Sequence, residues 1–179
     1  MRKILALAVL LFAFSAVASV PEVQAPLKTQ RMGFVDDLGI TVAVFNLEVA
    51  DTEETRRIGL MNRTALDPWG GMMFDFGAED HFAMWMKNTL IPLDMIFLNF
   101  KREVIFIAPN RQPGDLSHVS PCHVLLEEHD FVSAEARDNF WNECVAGYES
   151  DGHLTRYVVE LNAGASKKIS LYDVLKNMD

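Results

Sequence analysis

Apolar and polar positions alternate with a period of two over much of this chain, the pattern of half-buried β-strands. Along residues 40–50, Ala43, Phe45, Leu47 and Val49 fall on one face, and Asn46 and Glu48 on the other. Residues 31–35 supply a partner strand across Asp36-Asp37-Leu38-Gly39, an acidic turn that ends in glycine and signals a hairpin. Further strands are predicted over 72–76, 82–87, 94–100, 103–108 and 156–162, with 94–100 and 103–108 forming a hairpin about Lys101-Arg102. The segment 82–87 is read as the central strand. Phe82, Met84, Met86 and Asn88 share one face there, and Ala83, Trp85, Lys87 and Thr89 the other. Pro92 belongs at a strand edge or bend, because it has no N–H for a ladder.

Helical signals are fewer. Asp51, with Glu54 three residues on and Glu53 at the positive end of the dipole, starts a helix that ends near Gly59. Residues 60–66 continue as a short turn or helix, before the breakers Asp67-Pro68 and Gly70-Gly71. Ser133 reads as the N-cap of a second helix, along which Ala136, Phe140 and Cys144 recur every four residues, with Gly147 at its end. Ala163-Gly164 turns into a final helix of about ten residues. Strands and helices do not alternate regularly, so a parallel βαβ sheet is not expected. The pattern predicts a mainly β (α+β) fold, a compact antiparallel barrel-like sheet with two or three short helices.

The first residues have a different logic. Arg2 and Lys3 form a basic head, residues 4–14 are an apolar run short for a bilayer, and Ala16-Val17-Ala18 is a small-x-small cleavage pattern. Residues 1–18 are therefore expected to be a signal peptide cut before Ser19, with Val23-Gln24-Ala25 a second choice and an uncleaved anchor the alternative. Residues 19–30, with Pro21 and Pro26, are expected to be an extended leader, and residues 31–179 a single β-rich domain. The protein is then periplasmic or secreted, with no membrane span after cleavage, and is expected to be a monomer.

Charge narrows the partners. The chain carries 16 basic and 25 acidic residues, a net charge of −9. Losing Arg2 and Lys3 leaves −11, which argues against nucleic acid or an anionic membrane surface. Cys122 and Cys144 are the two cysteines, and an even pair in an exported protein suggests a disulfide. Two buried free thiols remain the alternative.

One stretch carries polar groups that a core does not require. Lys87, Asn88, Thr89 and, past Pro92, Asp94 sit among apolar residues. At a rim, the Asn88 amide offers donors and acceptors to a ligand, and Asp94 can orient Lys87 or an arginine. Arg57 and Arg63 flank Gly59-Leu60-Met61 and can face a carboxylate or phosphate if that helix covers the sheet. The competing reading is architectural: Asn88 and Thr89 hold a bend, Asp94 caps backbone N–H groups, and the arginines are surface ion pairs. Met84 and Met86 with His81 would suit Cu(I), although methionines two apart on an apolar face also suit a core. The five histidines show no zinc spacing, and no nucleophile elbow, phosphate loop or dinucleotide fingerprint is present.

Several of these pieces together resemble one family. They are Arg57-Ile58-Gly59-Leu60-Met61-Asn62-Arg63, preceded by Arg56; Gly71-Met72-Met73-Phe74-Asp75-Phe76; Trp85-Met86-Lys87-Asn88-Thr89 with Pro92-Leu93-Asp94; and the run from Tyr157 to Gly164. The chain resembles the uncharacterised proteins grouped as domain of unknown function 192, over roughly 39–116 and from 156 to the end. The resemblance implies a compact, mainly β single domain, often exported, and no activity. Residues 122–151, with both cysteines, stand out from the family pattern as a helical insertion.

The sequence as a whole points to a binding module without a cofactor, taking a small polar ligand or a protein partner. Its binding residues would be Asn88, Thr89, Asp94, Lys87, Trp85, Arg57 and Arg63. The alternatives are a hydrolase or isomerase using Asp94 and Lys87, and a copper-handling protein using Met84, Met86 and His81.

Overall fold

The computed structural model describes residues 23–117, 119, 120, 133, 136 and 154–178. Among these residues seven strands form one sheet: β1 (Thr29–Val35), β2 (Thr41–Ala50), β3 (Gly70–Asp80), β4 (Leu93–Leu98), β5 (Val104–Arg111), β6 (Thr155–Asn162) and β7 (Val174–Asn177). Their order across the sheet is β5-β4-β6-β3-β2-β1-β7. Neighbours are antiparallel except β2 and β3, which run parallel because α1 (Glu53–Ile58) carries the chain across between them. A βαβ unit thus sits inside a mainly antiparallel sheet.

The sheet is open, not a closed barrel. Its edges β5 and β7 touch at one corner only, through the bridge between Glu103 and Val174. There Val104 N–H donates to the Asp173 carbonyl (2.8 Å), and Leu175 N–H to the Arg102 carbonyl (2.9 Å). The sheet curls far enough to bring the two edges together at that corner, and no continuous ladder follows.

The predicted central strand is not a strand. Residues 81–92 form a loop in which Met84 alone bridges to Val119, and Met86 N–H donates to the Asp115 carbonyl at 3.0 Å. The side-chain alternation is nevertheless real: Met86 is buried, while Ala83, Trp85 and Lys87 are exposed. The segment is extended and half-buried, but its backbone bonds go to another loop. The true centre is β3, flanked by β6 and β2.

Among the described residues there is one α-helix, not two or three. Thr52, not Asp51, caps it. The Thr52 hydroxyl accepts from Thr55 N–H (3.2 Å), and the Thr55 hydroxyl oxygen accepts from Thr52 N–H (3.1 Å). Glu53 and Glu54 in the first turn and Arg56 and Arg57 in the last match the helix dipole. The predicted final helix is replaced by a short 3₁₀ turn (Ala165–Lys168) and then β7, whose Leu175 enters the core. Ser133 accepts from Ala136 N–H (3.1 Å), the bond of an N-cap. The remainder of that predicted helix, the segment 122–151 and both cysteines with their expected disulfide lie outside the described residues, as do the signal peptide and the start of the leader.

Each face of the sheet carries a core. On one lie Phe34, Phe45, Leu47, Met73, Ile96, Val159 and Leu161. On the other lie Met72, Phe74, Met86, Met95, Phe97 and Val158, with Leu60 packed from the turn after α1. Every strand residue in the middle of the sheet is therefore buried on one side or the other, which leaves little room there for an unpaired polar group.

Candidate functional site

Among the described residues, the face that holds the second core is covered mainly by α1 with the turn after it and by the loop 84–89. Gly59 ends α1 with a positive φ of 50°, which glycine adopts without the cost a side chain would bring. A Cβ at Gly59 would stand 3.0 Å from the Phe74 ring, so glycine also lets the turn lie against β3. Arg56 fastens the helix from its other side. Its Nη1 donates to the carbonyls of Asp51 (2.6 Å) and Asp75 (2.7 Å), and its guanidinium lies 5.7 Å from the Phe76 ring centre. The two roof pieces meet where Asn62 N–H donates to the Asn88 carbonyl at 2.8 Å. Both asparagines adopt positive φ, 60° at Asn62 and 55° at Asn88, which asparagine tolerates better than most residues.

Under this roof lies an open cleft of about 270 Å³, part of it solvent at the mouth. The centre of a water molecule has only about 30 Å³ to move in, room for about two waters. Arg56 and Arg57 come to it from α1, Trp85, Lys87 and Thr89 from the loop, and Phe74 and Glu160 from the sheet. Lys87 places its ammonium 5.0 Å from the Trp85 ring centre, a cation–π contact at the exposed mouth.

Glu160 is the unexpected member. It lies on β6 in register with Met72 of β3 and Met95 of β4, both fully buried, and is itself 4% exposed. Burial pushes its carboxyl up to about 8, and no hydrogen bond or charge among the described residues offsets that. The floor of the cleft is thus a carboxylic acid that stays protonated at neutral pH.

The structure brings four of the seven residues picked from sequence to this cleft: Arg57, Trp85, Lys87 and Thr89. Thr89 is buried, with its hydroxyl 3.5 Å from the Lys87 carbonyl. Asn88 stands beside them on the roof, exposed, with its amide nitrogen 3.9 Å from the Met61 sulfur. Arg63 is elsewhere, in a two-pronged pair with Glu48 at 2.5 and 2.9 Å.

Asp94 is on the opposite face of the sheet from Glu160, because it pairs in register with Leu161, one residue on. It is fully buried and accepts four bonds: from the N–H groups of Asn110, Gly164 and Ser166 (each 2.9 Å) and from the Ser166 hydroxyl (2.7 Å). Burial acts to raise its carboxyl, but these bonds outweigh it and hold the group below its usual range. Asp94 and Lys87 are therefore not brought together.

Of the copper candidates, Met84 lines the cleft, Met86 is buried in the second core, and His81 lies half-buried at the end of β3. No group of three or more histidine, cysteine or acidic side chains among the described residues is placed to hold a metal ion.

A family model covers residues 35–173, described as DUF192, Uncharacterized ACR. This chain belongs to the DUF192 family. Two solved structures share the fold of this DUF192 chain. One, a proposed transcription regulator from Sinorhizobium meliloti 1021, is 28% identical, with a TM-score of 0.64 over 86% of this chain and 97% of its own. The other, a protein of unknown function from Novosphingobium aromaticivorans DSM 12444, is 27% identical, with a TM-score of 0.62 over 92% of this chain and 98% of its own. No curated protein matches the chain.

Within the DUF192 chain, reading the sequence missed Arg56, Phe74 and, most consequentially, Glu160 as residues of the cleft. Its signal is present: an acid between Val159 and Leu161 in an otherwise apolar run. Recognising it requires knowing that this strand is flanked on both sides.

Proposed function

We propose that this DUF192 protein is an exported binding module whose cleft beneath α1 takes a small polar group. Glu160 carries the reading. A carboxyl buried in the middle of a sheet, among methionines, costs stability unless something uses it. It faces a cleft with a buried hydroxyl at Thr89, an aromatic wall at Trp85 and cations at the mouth. The small free space favours the headgroup of a ligand over a whole sugar ring or nucleotide. Export is supported by the basic head, apolar run and Ala16-Val17-Ala18. The net charge of −9 speaks against nucleic acid as the partner.

The test is thermal unfolding against sugars, amino acids, organic acids, amines, phosphate and nucleotides. A ligand at a hundredfold excess over its Kd adds about 2.7 kcal/mol of stability. That shift should shrink in Trp85→Ala and Lys87→Ala, two exposed positions whose loss leaves the core intact. No shift with any compound, or shifts identical in both variants, would count against the cleft as a binding site.

A further inference from the structure

Resting on that reading of the cleft, we propose the class of ligand: a small carboxylate, entering mouth-first past Lys87 and sharing a hydrogen with the Glu160 carboxyl on the floor. Three observations converge on it. First, among the described residues, the charged residues lining the cleft besides Glu160 are Arg56 and Arg57 from α1 and Lys87 from the loop, while Met72 and Met95, which flank Glu160 in the sheet, are uncharged. A locally cationic mouth on a chain of net charge −9 attracts anions and disfavours amines. Arg56 gives its Nη1 to two neutral carbonyls, so those bonds leave its positive charge uncompensated.

Second, a neutral acid on the floor is a hydrogen-bond donor. Ionised, Glu160 could only accept, and would repel an anion; protonated, it can donate to a carboxylate oxygen in a charge-assisted bond. Third, the cleft has room for about two water-sized groups, which the two oxygens of a planar carboxylate can occupy, the remainder of the molecule trailing out over Trp85. A free organic acid and the C-terminus of a peptide both present this group.

The experiment compares N-acetylglycine with N-acetylglycinamide, and one hexapeptide with a free and an amidated C-terminus, by calorimetry at pH 6 to 10. The acid of each pair should bind at least tenfold more tightly than its amide at pH 6. That preference should fall about tenfold per pH unit once Glu160 ionises. Glu160→Gln retains an N–H donor and should keep the preference but lose its fall with pH. Lys87→Ala should reduce the preference several-fold, without calling on a core substitution. Equal binding of acid and amide, or a fall with pH that persists in Glu160→Gln, would overturn the carboxylate assignment. If sugars or amines bind the cleft while neither acid does, the ligand class fails and the cleft stands. Similar affinity for N-acetylglycine and the free peptide would name the organic acid as source, and a marked advantage for the peptide would name the C-terminus.

Discussion

Asp94 holds Ser166 twice: one carboxylate oxygen accepts both the Ser166 N–H (2.9 Å) and its hydroxyl (2.7 Å). The same oxygen takes Gly164 N–H, and the other takes Asn110 N–H, both at 2.9 Å. One side chain therefore ties β4 to the end of β5 and to the turn after β6. Asp94→Asn replaces an acceptor with an amide group that would meet these donors with N–H of its own. It should cost on the order of 3 kcal/mol in urea unfolding, since bonds to charged groups contribute about 1.5–3 kcal/mol each. The pH sign follows from the lowered carboxyl. Its stabilisation is present above the unfolded value of 3.8 and is lost as pH falls through the folded value. Wild type should lose stability below about pH 4 more steeply than Asp94→Asn; equal acid sensitivity would show that Asp94 contributes no charge-dependent stability.

The Arg63–Glu48 pair should be worth more than an exposed ion pair. It is two-pronged, both side chains are at least four-fifths buried, and Glu48 also accepts Leu27 N–H at 3.0 Å. Burial works to raise the Glu48 carboxyl, yet the Arg63 and Leu27 bonds leave it lowered. A double-mutant cycle with Arg63→Ala and Glu48→Ala should give a coupling energy above about 1 kcal/mol, where exposed pairs give 0.2–1 as a rough range. Arg63→Lys should recover only part of it, because a lysine cannot make the parallel pair. A coupling near zero would return Arg63 to the role of an available rim cation.

Much of this was legible in the sequence, and the parts that were not share a cause. The β1–β2 and β4–β5 hairpins, the helix before Gly59 and the strand 156–162 all declare themselves through local pattern. The loop 81–92 has the same alternation as a strand, because extended chain with one face on a core looks alike whether its N–H groups meet a ladder or a loop. β7 was missed because four residues carry too little periodicity to oppose a helix reading. Lys87 and Thr89 were found as polar residues out of place. Glu160 was passed over because its strand neighbours, Met72 and Met95, are distant in sequence. Asp94 drew attention for the right reason, a carboxylate amid apolar residues, but its neighbours turned out to be backbone donors.

Gly71 is required for a reason no local pattern reveals. A Cβ there would lie 2.7 Å from the Glu160 carbonyl oxygen and 2.8 Å from a Leu47 methyl. One contact is backbone in the centre of the sheet, which cannot swing away. Gly71→Ala should therefore destabilise by about 1–3 kcal/mol through overpacking. An unchanged urea midpoint would mean that β3 and β6 can separate locally at no cost.

Glu160 itself should make stability depend on pH in the opposite sense to Asp94. Its carboxyl stands at about 8 in the fold against 4.5 unfolded, so between those values the folded chain holds a proton that the unfolded chain has released. Stability is unaffected below the unfolded value, declines by about 1.4 kcal/mol per unit as pH rises towards the folded value, and levels off beyond it. Glu160→Gln keeps the shape, removes the titration and should be flat in this respect. The variant should match wild type most closely near pH 5 and exceed it by several kcal/mol near pH 8, an order-of-magnitude figure from the same linkage. Urea midpoints at pH 5, 7 and 9 measure the divergence. Parallel profiles would mean that Glu160 is ionised in the folded protein and that burial does not keep its proton on.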